Sequence, residues 1–447
     1  MSRTAVAATP EIPDPAVLRA HMARALGDYW QDGEDSVLSL PIVARPVSRV
    51  TGPLRLIEVP LPAWIPEEGC GKELLVPSEA AGNDGNYQSV DWWLAAFLLL
   101  EGWHERAREA LGGPIHSYSG RLTGWDSRAW DSPWVNRIAL FLRAWALRAQ
   151  GGALDSVIGP LPVSSITMSH DVDALAKTLP IRLKQSAFEC SNALRAVRKG
   201  DWRATRERLQ QALRFIASGD DWWQVDEVLR LEREAGINAV FNVYADGRRT
   251  TPKRWLIDPR YSLSNPDGRR LLQSIRDSLA EQGLHGTYDS FDKEHLLTQQ
   301  RALLESHLDR PVRRTRQHWL RFSWEQTWRA QAGAGLTKDS TLMFNDRPGF
   351  RNSAALAWYP WDPQSQGAHK VCAVQTILMD SHLYDYADHD EKSRAETLRR
   401  LVDQVVAVGG TAELLWHPHT LARDYGWSGG FRQSLATLGQ LEGSSPQ

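Results

Sequence analysis

A chain of 447 residues is too long for one ordinary core, so two or three domains are expected. Charged residues make up 24% and the formal net charge is −2, so no bulk field points to nucleic acid or a membrane, and three scattered cysteines, Cys70, Cys190 and Cys372, fit a reducing compartment. Roughly the first thirty residues hold no apolar run of signal-peptide length and no window approaches a membrane span, so a cytoplasmic protein is expected.

Residues 1–15 are rich in Ala, Thr and Pro and read as a frayed start. Between about 37 and 62, Leu38–Val43 and Leu54–Val59 alternate apolar with polar residues and read as short strands. Residues 77–86 read as a loop. A buried helix is predicted from Asp91, its N-cap, to about Ala110. After a loop-like stretch, Val135, Ile138, Leu142, Trp145 and Ala146 recur at helical spacing and predict a helix from Trp134 to about Gln150. Gly151-Gly152 then breaks the chain, and a domain boundary is placed at about 150–163. Trp is abundant, at 20 residues; its broad face suits sugar stacking, but large cores also use it.

Beyond the boundary, strands and helices alternate. Strands are predicted at Ser165–Ser169, Ile237–Val243, into Leu284, into Thr315, at Val371–Leu378 and at Thr411–Trp416, with helices such as Pro266–Glu281 and His295–Leu308 between them. This rhythm implies a largely parallel sheet or barrel with its site at the strand C-termini. One stretch departs from it: residues 176–232 form a long helical insertion. From 182 to 214 it carries Arg182, Lys184, Arg195, Arg198, Lys199, Arg203, Arg206, Arg208 and Arg214 against Glu189, Asp201 and Glu207. It reads either as a solvated hairpin face or as a cover that attracts an anionic substrate.

Chemistry concentrates at the predicted strand ends. The run Ser165-Ile166-Thr167-Met168-Ser169-His170 stops at Asp171-Val172-Asp173. On a strand, Asp171 and Asp173 share a face. Two carboxylates there are costly unless a metal or cation holds them, which suits one metal ligand and one base; a strand end with a helix-capping Asp is the plainer reading. His285 and Asp289, in Gly283-Leu284-His285-Gly286-Thr287-Tyr288-Asp289, are four apart and form either a metal pair or a loop with a capping Asp. Arg316, in Arg316-Gln317-His318-Trp319, either fixes a carboxylate in its ionised state or ends a basic solvated strand. Asp339, in Lys338-Asp339-Ser340-Thr341-Leu342, reads first as a cap. His417, at the end of Glu413-Leu414-Leu415-Trp416, is either a general acid at a site mouth or a core histidine.

Taken in order, Asp-Val-Asp, His-Gly, Arg-x-x-Trp, Asp-Ser-Thr-Leu and Leu-Trp-His resemble the polysaccharide deacetylase superfamily, also called carbohydrate esterase family four or the chitooligosaccharide deacetylase homology domain. The resemblance covers about residues 163–425, and its phrasing is similar to a bacterial subgroup with an extra N-terminal domain. It implies an α/β fold: a distorted (β/α) barrel of about seven strands over residues 163–430, preceded by a smaller α/β domain over residues 1–155. It implies Asp171 as base, Asp173 and His285 as metal ligands, Arg316 as the cation holding Asp171 ionised, Asp339 as the carboxylate orienting the catalytic histidine, and His417 as general acid. The third ligand of the family is usually a His four residues after the second; this chain has Asp289 there. Typical members follow the Arg with Pro; this chain has Gln317-His318, so His318 is the other candidate to complete the shell.

The function so implied is metal-assisted hydrolysis of an N-acyl (acetyl or formyl) group. Zn²⁺ or another divalent transition metal would be the cofactor, and an N-acylated amino sugar (a nucleotide sugar, a glycan precursor or a glycosylated metabolite) the partner, with no nucleic acid and no membrane span. Two alternatives stand beside it: a non-catalytic carbohydrate-binding protein on the same scaffold, and a C–N hydrolase acting on a non-sugar amide.

Overall fold

The structure is a computed structural model that describes residues 9–151, 158–249, 251–386 and 390–442. Near the start of the chain, β1 (Leu56–Pro60) and β2 (Glu73–Pro77) form an antiparallel ribbon. The main sheet begins with β3 (Ser165–Val172), β4 (Val240–Tyr244), β5 (Glu281–Gly286), β6 (Arg314–Gln317) and β7 (Lys338–Asp339). It continues with β8 (Ala357–Trp358), and after a short ribbon of β9 (Trp361–Asp362) and β10 (Gly367–Ala368) with β11 (Cys372–Val374), β12 (Thr376–Met379) and β13 (Thr411–Leu415).

The order across the sheet is β12-β13-β3-β4-β5-β6-β7-β11-β8, and every neighbouring pair is parallel except β11 with β8. Only Gln375 separates β11 from β12 in the chain, yet the two lie towards opposite edges of the sheet. The sheet must therefore curl until its ends approach, and the Gln375 carbonyl accepts a hydrogen bond from the Glu413 amide of β13 at 2.9 Å. Such a sheet is covered on both faces, which is why β4 and β12 are buried throughout. Around it, the helix Glu391–Ala407 starts at Asp390, whose Oδ1 accepts from the Ser393 amide at 2.8 Å. Its buried face is Leu398, Leu401, Val402 and Val405, the three-and-four spacing of one helical stripe.

This is the α/β architecture expected, with two differences. Nine strands take part rather than about seven, because Val371–Leu378 breaks into β11 and β12 and because β7 and β8 are too short to show a period. The predicted strand Leu38–Val43 does not form: Glu34–Leu38 is a helical turn, and Pro41 follows without a ladder.

In the N-terminal part, Asp91 caps its helix by accepting from the Leu94 amide at 3.0 Å. The predicted 91–110 helix is two, Trp92–Leu100 and Trp103–Gly112, broken at Gly102. Gly102 has φ +56°, and a Cβ there would sit 2.2 Å from the Trp324 ring. One apolar core spans this region and the sheet, with Trp92 and Trp103 joined to Trp324, Trp328, Trp358 and Trp361. Buried charges tie the same seam. Arg351 pairs with Glu105 at 2.7 Å, and Arg106 donates to the carbonyls of Trp324 and Trp361 at 3.2 and 3.0 Å. Gly102→Ala combines a left-handed backbone with a clash against an immobile ring. It is expected to destabilise the protein by about 2–3 kcal/mol or more in urea unfolding, with both regions losing structure together.

The insertion after β3 is a helical hairpin, Leu179–Arg198 packed on Trp202–Ala217. The next helix, Val225–Ala235, belongs to the wall of the sheet and buries Val225, Val228, Leu229 and Leu231. Among the described residues, no helix is long and apolar enough to cross a membrane.

Candidate active site

Parallel strands bring their C-terminal ends to one rim, and the polar residues of that rim meet there. Asp171 lies near the end of β3, beside Asn242 of β4 in register. His285 lies near the end of β5, between Tyr244 and Arg316. His318 follows β6, Asp380 follows β12, and His417 follows β13 by two residues.

Asp173, His285 and His318 form a cluster whose donor atoms all lie within 4.8 Å of one another. His285 Nε2 is 3.1 Å from Asp173 Oδ1, and His318 Nε2 is 3.8 Å from the same oxygen. The first pair is close but not aligned, so His285 Nε2 and Asp173 Oδ1 are buried without a hydrogen-bond partner among the described residues. Each imidazole is anchored on its far side: His285 Nδ1 donates to the Arg316 carbonyl at 3.1 Å, and His318 Nδ1 lies 3.2 Å from Asp258 Oδ1. That pattern presents two Nε2 lone pairs and a carboxylate to one point, the arrangement found when histidines serve as metal ligands. One orphaned nitrogen, one orphaned oxygen and a mixed N/O donor set fit a divalent transition metal.

Asp171 sits beside the cluster, buried to 2% exposure. Its Oδ1 accepts from Asn242 Nδ2 at 2.8 Å and Arg316 Nη1 at 3.2 Å, which leaves Oδ2 as the oxygen free to take a proton. Burial opposes ionisation, but the Arg316 guanidinium and then His285 outweigh it and hold the carboxyl below its ordinary value. Arg316 is itself fully buried and fixed by Glu413 Oε2 at 2.7 Å, Ser169 Oγ at 2.8 Å and Thr376 Oγ1 at 3.0 Å. Its fork thus spans β3, β12 and β13, and Lys in its place would lose most of these bonds.

His417 faces the cluster from the other side, with Nε2 3.6 Å from Asp173 Oδ2. Its Nδ1 donates to Asp380 Oδ1 at 3.0 Å, and its amide donates to Asp380 Oδ2 at 2.9 Å. Burial alone would favour the neutral ring, but the Asp380 carboxylate pushes the imidazolium up to about 10. A cation held at the cluster would draw that value back down.

Two residues singled out in the sequence lie elsewhere. Asp289 is clamped by Arg248, which donates from Nη1 and Nη2 at 2.9 Å each, and by Thr287 Oγ1 at 2.9 Å; it is not part of the cluster. Of the two candidates to complete the shell, the structure brings His318 to it. Asp339 is buried under Trp328 Nε1 at 3.0 Å, Gln331 Nε2 at 2.8 Å and Thr341 Oγ1 at 2.5 Å, and makes no bond to His417. The carboxylate on His417 is Asp380. Asp289→Asn is accordingly expected to leave metal content unchanged, as read by elemental analysis, because the side chain that responds is Arg248.

Sequence reading missed Asp380, Asn242 and Asp258. Asp380 carries the same signal as Asp171, an apolar strand that runs straight into a carboxylate. Nothing local marks Asn242 inside a buried strand, or Asp258 in a loop.

A cavity of about 260 Å³ opens on the cluster, lined by Asp171, Asp173, His285, His318 and His417 together with Lys184, Phe188, Trp319, Asn345 and Tyr425. Trp319 and Leu320 both have positive φ, +59° and +49°, so the backbone is strained where it sets the Trp319 ring beside the site. Lys184 of the hairpin lies 5.2 Å over that ring.

No protein-family model matches the sequence, and no curated protein matches it. Among solved structures, a Mycobacterium smegmatis protein assigned as a polysaccharide deacetylase shares 17% identity, over 62% of this chain and 84% of that one, with a TM-score of 0.38. A CE4 family pseudoenzyme from Bacillus anthracis shares 11%, over 65% of this chain and 64% of that one, with a TM-score of 0.28. A 4-alpha-glucanotransferase from Thermococcus litoralis shares 10%, over 64% and 41%, with a TM-score of 0.33. Likeness at this level leaves the functional reading to rest on the geometry of the site.

Proposed function

We propose that this protein is a metal-dependent amide hydrolase that removes a small N-acyl group, acetyl or formyl, from an amino sugar. The observation that carries the reading is the pairing of two differently tuned groups across one donor cluster. Asp171 is held ionised by Arg316, and His417 is held protonated by Asp380. Carboxylates and imidazoles pushed to opposite protonation states at one site divide the work of base and acid.

Asp173, His285 and His318 would hold the metal, with Zn²⁺ the first choice for such donors. A bound divalent cation supplies Lewis acidity, polarising the acyl carbonyl and acidifying water. The protein's own groups do the rest. Asp171 accepts a proton at Oδ2 as water attacks the acyl carbon. Arg316 and Asn242 keep the other oxygen fixed, so the base does not rotate away. His417 Nε2–H then points at the departing nitrogen and protonates it as the C–N bond breaks. Without that proton an amine leaves poorly. Asp380 holds the ring by Nδ1, so the donor tautomer and its direction are set before substrate arrives. The cavity is at the small end for ligand sites, which suits a single sugar head rather than a buried chain. Trp319 offers an aromatic face for a sugar ring.

The direct test is a panel of N-acetylated and N-formylated amino sugars incubated with zinc-reconstituted protein, reading released acetate or formate. Release that is abolished by chelator and restored by metal supports the reading. A protein that binds these sugars yet releases nothing at any metal loading is a binding protein instead.

A further inference from the structure

The helical hairpin has two unlike faces. On the packed side, Arg208–Glu189 at 3.2 Å and Ser186 Oγ donating to the Ala212 carbonyl at 2.8 Å join the two helices, and Arg208–Asp385 at 3.4 Å ties the hairpin to the body. Buried Ser186, Glu189, Ala193 and Ala196 face Thr205, Ala212 and Phe215. One residue further round each helix lies an exposed apolar stripe. On the first helix it is Leu183, Leu194 and Val197; on the second it is Trp202, Leu209, Leu213 and Ile216. The steps of three and four residues, or sums of them, keep each set on one side of its helix. Because the helices are antiparallel and each stripe is offset in the same sense from the packed face, both stripes emerge on the same side of the hairpin. Trp202 is 71% exposed and Leu213 67% exposed, so nothing among the described residues covers them.

The rim of this apolar face is basic. Arg195, Arg198, Lys199, Arg203, Arg206 and Arg214 are exposed around it, against Asp201 and Glu207 alone. Asp201 is spent as the N-cap of the second helix, and Glu207 pairs with Arg203 at 3.1 Å. Two such faces brought together would set one basic rim against another, which disfavours self-association. An apolar stripe flanked by cations matches a surface with apolar depth and anionic headgroups.

We propose that the outer face of the hairpin docks on an anionic lipid surface, with Trp202, Leu209 and Leu213 entering the interface and the arginines on the headgroups. The consequence for substrate rests on the hydrolase reading. The same first helix that carries Leu183 also turns Lys184, Gln185 and Phe188 into the wall of the active cavity. The cavity wall and the docked face are thus two sides of one helix, which puts the cavity about one helix diameter, roughly 10 Å, from the lipid surface, and the amino sugar it takes is one carried on a lipid.

The test is co-sedimentation of the full chain with phosphatidylcholine vesicles, with or without phosphatidylglycerol. Wild type is expected to pellet with the anionic vesicles at least about tenfold more strongly than with neutral ones, and less as salt rises. The double variant Leu209→Glu, Leu213→Glu should lose about tenfold or more, with an unchanged circular-dichroism melt because both positions are exposed. An environment-sensitive dye on Cys190, the exposed cysteine, should shift to the blue on anionic vesicles. No pelleting at any anionic fraction overturns the proposal. Equal pelleting of wild type and variant overturns it too, as does a lipid-free dimer that the variant abolishes. These readouts need neither metal nor turnover. A chain that docks but hydrolyses no amide loses the hydrolase reading alone; one that hydrolyses soluble amides but never pellets loses the docking alone.

Discussion

Asp171→Asn is expected to lower amide turnover by about 10²–10⁴-fold while metal content stays at the wild-type level. The substitution is isosteric, and the new side-chain amide can still accept at its one oxygen from Asn242 and Arg316. Arg316 keeps Glu413 at 2.7 Å, so the buried guanidinium is not left without a counter-charge. What disappears is the proton acceptor at Oδ2. The metal donors are Asp173, His285 and His318, and none is touched. If turnover fell together with metal content, Asp171 would belong to the metal shell and the proposed division of labour would be wrong. The test is kcat at saturating metal beside elemental analysis of the same preparation.

Asp380→Asn should move the pH profile in a stated direction. His417 acts as an acid, so activity is lost as pH rises through its pKa. The imidazolium stands at about 10 because Asp380 outweighs burial, and a bound cation lowers it from there. Removing the Asp380 charge lowers it further, so the alkaline limb of kcat/KM should shift to lower pH, by about one pH unit or more on the usual scale of a lost buried carboxylate. The acid limb belongs to Asp171, whose carboxyl Arg316 holds low, and should not move. Asp339→Asn is the control. Asp339 touches Trp328, Gln331 and Thr341 rather than His417, so it should affect stability and leave both limbs in place. His417→Ala should cost about 10²–10⁴-fold in kcat at every pH.

These contrasts also show what the sequence could and could not carry. The end of β3 was legible because an apolar run meeting two carboxylates is costly unless something compensates it, and compensation is what Arg316, His285 and His318 provide. His285, Arg316 and His417 were legible for the same reason, each closing a strand at the expected rim. Asp289 misled because four-residue spacing brings two side chains together only on a helix. Here His285 lies in β5 and Asp289 lies in the loop beyond it, where Arg248, distant in sequence, captures it. Asp339 misled because a carboxylate at a strand end has no label for its partner. Trp328 and Gln331 come from the preceding helix, and only the curled sheet decides that Asp380 is the one beside His417. The strand count failed where strands are two residues long, too short for any period. The joint core of the N-terminal region and the sheet was illegible because Trp103 and Trp324 lie far apart in the sequence, and no local pattern links them.

The most direct measurement is the metal content of the purified, reconstituted protein beside His318→Ala and Asp289→Asn. About one divalent transition metal per chain in wild type and Asp289→Asn, with a large loss in His318→Ala, is the predicted result. Full metal in His318→Ala, or none in wild type, would contradict the site at its centre.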